Sequence, residues 1–369
     1  MAAVLDLTDS DEADKIRDEI KTHFQSRPNW VYVRPLGDGE NAVAVLVREK
    51  IPYAPGRVMV VKRAKGGDSA RQSLRKEIEY LTKLRGSEHI VQMVASRDGT
   101  DPRFLSNFLR IFNNATKKFD IPTGLPFLGL EGPVLGMEYL QNGTLTQLLN
   151  RLREKDLHLP NRVLWSFFLC LVRACVGLSY PATVTSTGGQ RLETITKDPP
   201  LNLVHGDLHG ENVMIGKQYD QPAFPEHALL PPMKLIDLGE ASEGGPRAAS
   251  ENINKVSMRL LSLIARRQVG RSERSQYNGY ETLATEILPH GNGAKYQSLD
   301  PVLRDLLARG VSTDNTKRPG LKELLDVAVA GAKKVAGSYA PNHARESDSA
   351  IRDLMQHLLY DANPSELTV

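Results

Sequence analysis

A little past the middle of the chain stands "LVHGDLHGENVMI", Leu203 to Ile215, in which His205, Asp207, His209 and Asn212 share a loop with two glycines between two apolar stretches. Transfer of a phosphoryl group to a hydroxyl needs a carboxylate that orients the hydroxyl and accepts its proton. It also needs oxygen ligands for Mg2+, a hard cation that takes one or two protein groups together with the phosphates. The loop carries one carboxylate, Asp207, and one amide, Asn212, five residues on. Taken without its surroundings, the same stretch is a polar turn between strands.

Other segments supply the rest of such a site. Downstream, "KLIDLGEA" ends an apolar run in Asp237, 30 residues after Asp207. Upstream, "PLGDGENAVAV" sets Gly37 and Gly39 where a backbone can approach anionic oxygens and offer amide hydrogens, although a lone G-x-G is mostly a hairpin turn. "RVMVVKR" ends a β-rich run in Lys62, a solvated charge unless something partners it, and "RKEIEYLTKL" offers Glu77, 15 residues later. Glu79 is the rival partner and points to a different face of that helix.

These groups need elements to position them. "WVYVRPL", "AVAVLVRE" and "RVMVVKR" read as three consecutive antiparallel strands between Trp30 and Lys62. Ser69 to Gly86 places Leu74, Ile78, Leu81 and Leu84 on one helical stripe, stopped by a glycine. "HIVQMVAS" and "PVLGMEYL" are two more strands, separated by an insertion, 98–132, that holds a helix from Arg103 to Lys118. After Gly143 the pattern turns helical, in "TLTQLLNRLRE" and the apolar "NRVLWSFFLCLVRACVGLSY". The expected class is α+β, with a small antiparallel β-sheet lobe carrying one helix and a larger, mainly helical lobe. The expected division is an acidic N-terminal tail over 1–27 with a short helix from Glu12 to His23, an N-lobe over 28–140, a C-lobe over 141–335 and a loosely held tail over 336–369.

In this order the motifs resemble those of the eukaryotic protein kinase superfamily, over Trp30 to Ala330, and the wording also resembles divergent kinase-like proteins of filamentous fungi. The resemblance implies a bilobal kinase-like fold that binds ATP and Mg2+. It makes Asp207 the catalytic base, Asn212 and Asp237 the metal ligands, and His205 the residue that braces the loop. Gly37 and Gly39 would lie over the phosphates, and Lys62, held by Glu77, on the α- and β-phosphate oxygens. In "PVLGMEYLQNGTLTQLL" the backbone of Glu138 and Leu140 would bond adenine, with Met137 at the back of the pocket.

The chain departs from the pattern in several places. Gly206 stands for the usual Arg, Leu238 for Phe, Ala42 for the third glycine, and His209 for a Lys that holds the transferred phosphate, a charge that a protonated His209 would share. No A-P-E follows Asp237, and Asn254 stands where the family starts its next helix with an Asp. Arg318 matches the family's late Arg. The H-G-D-x-H-x-x-N wording is also similar to the catalytic loop of aminoglycoside and choline phosphotransferases. The expected activity is therefore transfer of the ATP γ-phosphate to a Ser/Thr hydroxyl of a protein, with a small-molecule hydroxyl as the alternative acceptor. A nucleotide-binding pseudokinase scaffold is a third reading, opposed by the presence of Lys62, Glu77, Asp207, Asn212 and Asp237 together.

Composition bounds the remaining classes. The 369 residues, 40% hydrophobic and 25% charged, describe an ordinary globular chain. A net charge of +3 without a block of basic residues gives no reason to expect nucleic acid or an anionic membrane as partner. The N-terminus lacks the basic start and apolar core of a secretory signal. The run from Val163 to Leu178 contains Arg173 and falls short of a bilayer span, which makes it a buried helix. Cys170 and Cys175, five apart on that helix, face different ways and read as core thiols rather than a metal or redox pair. The expected location is a reducing interior, cytoplasmic or nuclear. "AVLDLTDSDEAD", across residues 3–12, is similar to SUMO-interacting motifs, which add a strand to a partner's sheet edge, and is otherwise an acidic solvated tail.

Overall fold

Alternation along the β-rich runs decides which side chains face which neighbour, because successive residues of a strand point to opposite faces. In a computed structural model of the chain, the described residues are 9–52, 56–98, 111–113, 118–120, 127–182, 189–220, 222–270, 272–289 and 296–361. Strands β1 (Trp30–Asp38), β2 (Ala42–Glu49), β3 (Val58–Ala64), β4 (Met93–Asp98) and β7 (Pro133–Glu138) form one antiparallel sheet in the order β1-β2-β3-β7-β4. Val43, Val45 and Val47 of β2 and Met59 and Val61 of β3 turn to one face and are buried there. Ala42, Ala44, Val60 and Lys62 turn to the other and line a cleft. The register Ala44 opposite Lys62 opposite Leu135 holds that lysine in the middle of the sheet.

Helix α1 (Asp9–Gln25) covers the first face. The expectation of an acidic tail over 1–27 is corrected here: Ala13, Ile16, Ile20 and Phe24 recur at helical spacing and pack on the sheet valines, with Ile20 and Phe24 at 0% exposure. The acidic residues of α1 anchor its edges, Glu19 to Arg63 at 2.6 Å and Glu12 to the Gly66 amide at 2.8 Å. Residues 9–12 of the SUMO-like segment open this helix, and its apolar core lies outside the described residues. In the insertion, the helix expected over Arg103–Lys118 is overturned where the chain is described: Ile111–Asn113 (β5) and Lys118–Asp120 (β6) pair as a short antiparallel hairpin. The remainder of that stretch lies outside the described residues.

Helix α2 (Asp68–Lys83) buries Leu74, Ile78 and Leu81, as its stripe requires. The later part of the chain is mainly helical. Helix α3 (Leu145–Glu154) starts in a capping box between Thr144 and Gln147. Helix α4 (Asn161–Ser179) runs through the centre against α5 (Ala248–Ala265) and α7 (Leu321–Ala332), with Trp165, Phe167 and Phe168 fully buried. By length and composition α4 is sufficient to cross a bilayer, but 89% of its apolar window is buried inside the fold. Its N-terminus is closed by Glu346, whose carboxylate accepts from the amides of Asn161 at 2.7 Å and Arg162 at 3.0 Å. That contact belongs to the segment expected to be a loose tail, which is a second correction. Helix α8 (Asp348–Met355) follows, and Ile351, Met355, Leu358 and Leu359 are buried in the main core.

Among the described residues the chain is thus α+β, one five-strand antiparallel sheet with eight α-helices. Two small ladders lie beneath the cleft: β8 (Leu203–Val204) with β11 (Ser242–Glu243), and β9 (Val213–Ile215) with β10 (Met233–Leu235).

Candidate active site

A cavity of about 1050 Å³ opens between the cleft face of the sheet and the β8–β11 loops. Gly37, Gly39, Lys62, Glu77, Met137, Glu138, Leu140, Asp207, His209, Asn212 and Asp237 all line it, and His205 lies beneath.

Lys62 leaves β3 on the cleft face because Val61 and Met59 take the other one. Its ammonium lies 2.7 Å from Glu77 Oε2 and 2.9 Å from Asp237 Oδ1. Burial opposes a charge on Lys62, yet the two carboxylates hold its pKa above the ordinary value. Burial likewise resists charge on Asp237, but the Lys62 ammonium brings that carboxyl below the usual range. Glu77 is 1% exposed at its side chain and is pushed up by burial against the pull of Lys62. One cation between two carboxylates leaves a surplus of negative charge. The rival Glu79 faces outward and pairs with Lys83 at 2.9 Å.

Asp237 follows the β9–β10 ladder and takes φ of +61°, a left-handed backbone that turns its carboxylate into the cleft. The Ile236 amide donates to the Asn212 carbonyl at 3.0 Å, which ties this turn to the 205–212 loop. In that loop Asn212 Nδ2 donates to the Asp207 carbonyl at 2.8 Å and to Asp207 Oδ2 at 3.1 Å. With its amide nitrogen so occupied, Asn212 presents its oxygen, and Asp237 presents its second carboxylate oxygen. Two oxygen donors beside uncompensated negative charge suit a hard cation such as Mg2+.

His205 is buried, and Nε2 donates to the Ile236 carbonyl at 2.9 Å. Burial depresses its pKa, so it stays a neutral brace. The His205 amide in turn donates to Asn252 Oδ1 at 3.2 Å, while Asn252 Nδ2 donates to the Leu203 carbonyl at 2.8 Å. This corrects the expectation for Asn254, which donates to the Gly310 carbonyl at 3.3 Å instead. The sequence reading missed Asn252. The signal was present in "SENINKV", but two residues differ by roughly 200° around a helix, and nothing in the sequence says which face meets the loop.

Gly206 has φ of +80°, and a Cβ built there falls on the Glu240 carbonyl oxygen. The absent Arg therefore has a backbone cause: this turn accepts glycine alone without moving Glu240. His209 Nδ1 accepts from the Glu211 amide at 3.2 Å, which assigns the ring proton to Nε2, 3.2 Å from Asp207 Oδ2. The ring as placed lies against Asp207 and lines the cavity.

Two further expectations change in detail. The Gly39 amide donates to the Ala42 carbonyl at 2.9 Å and closes the β1–β2 turn, so it is not presented to the cleft. Gly37 stands opposite Ala44 inside the β1–β2 ladder. Met137, near the end of β7, and Leu140, just after it, are buried at the back of the cavity. The Glu138 amide donates to the Gln92 carbonyl at 3.0 Å, and its carboxylate accepts from Lys234 at 2.9 Å and from the Gln92 amide at 2.8 Å. Any bond from Glu138 to a bound base therefore falls to its carbonyl. Arg318 donates to the carbonyls of Ser312 and Ser250, securing the chain ahead of α7 to the start of α5.

Neither a scan against protein-family models nor a search of curated proteins finds a match for this chain.

Proposed function

We propose that the protein is an ATP- and Mg2+-dependent phosphotransferase of bilobal, kinase-like architecture that passes the ATP γ-phosphate to a Ser/Thr hydroxyl of a protein. The observation that carries this reading is Lys62 held between Glu77 and Asp237 in one cavity with Asp207 and Asn212. An ammonium pinned by a buried carboxylate is a preorganised contact for phosphate oxygens, and costs no rearrangement when they arrive. Asn212 and Asp237 would hold Mg2+, which when bound offsets the charge of the phosphates. Asp207, steered by Asn212 and His209, receives the acceptor hydroxyl. Its oxygen bonds to the γ-phosphorus, the bond to the ADP oxygen breaks, and the hydroxyl proton passes to the Asp207 carboxylate.

A second reading, a small-molecule acceptor, is favoured by one feature. After Asp237 the chain pairs Ser242–Glu243 with β8, turns at Gly244 and Gly245, and enters α5 at Ala248. That leaves no length for a peptide-positioning segment. The two readings separate when the protein is given Mg2+ and ATP labelled at the γ-phosphate, together with a panel of proteins or a protein-free metabolite fraction. Label on Ser/Thr of proteins is the expected result. Label only on a metabolite selects the second reading, and nucleotide binding with no transfer to either contradicts both and describes a scaffold.

A further inference from the structure

A second cluster of chemically able side chains lies away from the cleft, where three distant segments meet. His89 comes from the turn between α2 and β4, Cys170 from the middle of α4, and His227 from the loop ahead of β10. Each is buried, at 0%, 2% and 5% exposure, and one ligating atom from each lies within 4.8 Å of the others. Nε2 of His89 and Nε2 of His227 have no hydrogen-bond partner of normal geometry among the described residues. Both lie near a carboxylate oxygen, Glu226 Oε1, at 3.9 Å and 3.8 Å. Two buried imidazole nitrogens that make no well-formed hydrogen bond, that of His89 beside the Cys170 thiol and both beside a carboxylate, form a costly arrangement for a core that holds nothing.

From this geometry we infer a zinc site, with His89, Cys170 and His227 as ligands and Glu226 as the fourth. Bonds of about 2.0–2.3 Å to a tetrahedral ion set neighbouring donors roughly 3.3–3.7 Å apart, so the two imidazole-to-carboxylate separations need to close only slightly. The surroundings are those of a ligand shell. His89 Nδ1 is 2.7 Å from Glu193 Oε2, and Glu193 Oε1 accepts from the His89 amide at 2.7 Å. A carboxylate on the far nitrogen of a ligating imidazole fixes its orientation and raises its basicity. Arg173 pairs with Glu226 at 2.7 Å and donates to the Glu193 carbonyl at 2.8 Å, which holds the fourth donor in place.

The donor set argues for zinc over its competitors. Imidazole, thiolate and carboxylate together suit Zn2+, whereas a blue-copper centre pairs the same His2Cys set with a weak axial thioether, and Mg2+ or Ca2+ wants oxygen alone. Charge is balanced as well: a divalent cation and Arg173 offset the Cys170 thiolate, Glu193 and Glu226. The ion would staple the turn after α2, and so the helix that carries Glu77, to α4 and to the loop that leads into β10.

The test needs the untagged full chain, exposed to Zn2+, desalted and assayed for metal by mass spectrometry. One zinc per chain is expected, reduced to background in Cys170→Ser and in His227→Gln, with affinity about 10–100-fold weaker in Glu193→Gln. A chain that stays free of zinc, a chain that takes copper in preference, or zinc retained by both ligand variants overturns the assignment. Should the variants not fold, Co2+ loaded into the wild-type chain decides. A thiolate-to-cobalt charge-transfer band supports the site and its absence overturns it.

Discussion

Lys62→Met removes the one cation that separates Glu77 from Asp237 while keeping the length of the side chain. Glu77 is 1% exposed, so it is left as a buried carboxyl without a counter-charge, whereas Asp237, with 43% of its side chain exposed, is served by water. Breaking a buried pair from one side costs about 3–5 kcal/mol, and since Glu77 escapes part of that by taking a proton, a loss of about 3 kcal/mol is expected at pH 8. The pH dependence follows from the direction of the Glu77 shift. Its folded pKa is already raised by burial, opposed by Lys62, and removing Lys62 raises it further. A carboxyl with a raised folded pKa contributes stability below its unfolded value of about 4.3 and loses it as pH rises through the folded value. The deficit of the variant is therefore larger at about pH 8 than at about pH 5.5. Urea unfolding followed by circular dichroism at the two pH values measures it, alongside Lys62→Met/Glu77→Leu, in which the buried charge is gone and stability returns to within about 1 kcal/mol of wild type. Phosphotransfer falls about 100- to 1000-fold in both variants, since the preorganised cation is missing from each. A deficit equal at both pH values, or a double variant as unstable as the summed singles, refutes the assignment of the cost to Glu77.

Three further outcomes are expected. Gly206→Ala forces a Cβ onto the Glu240 carbonyl at φ +80°, and loses about 1–3 kcal/mol in urea unfolding together with most of the activity, because Asp207 is next in the chain. Asn252→Leu strands the His205 amide and the Leu203 carbonyl and costs about 1–3 kcal/mol with a fall in kcat, while Asn254→Ala, which loses a single bond to Gly310, costs under about 1.5 kcal/mol and leaves kcat unchanged. Phe24→Ala opens a cavity between α1 and the sheet and lowers stability by about 3–5 kcal/mol, a loss that a loose acidic tail would not give.

How far the sequence foretold these features depended on whether the relevant signal was local. The alternating valines of β2 and β3 and the stripe of α2 are short-range patterns, and the spacing of Lys62 and Glu77 follows from them, so the pair was legible. The 205–212 loop was legible because its chemistry is written in consecutive residues. The packing of α1 carried a signal as well, Ile16, Ile20 and Phe24 at helical intervals, but the acidic residues between them suggest a solvated segment to any reading that weighs charge first. Those acids instead find Arg63 and the Gly66 amide on the sheet. The choice between Asn252 and Asn254 turned on the rotation of α5 about its axis, which only packing sets. The meeting of His89, Cys170 and His227 rests on three segments far apart in the chain, and Cys170 taken with Cys175 alone pointed to nothing but core.

The most direct test of the phosphotransferase reading compares the wild-type chain with Asp207→Asn for ATP affinity by calorimetry and for Mg2+-dependent transfer of the γ-phosphate to an acceptor. Asp207 touches neither Lys62 nor Glu77, so affinity is expected to hold within about twofold while transfer falls by about 100-fold or more, the scale of a lost general base. Transfer that survives in Asp207→Asn, or a wild-type chain that binds no ATP, contradicts it.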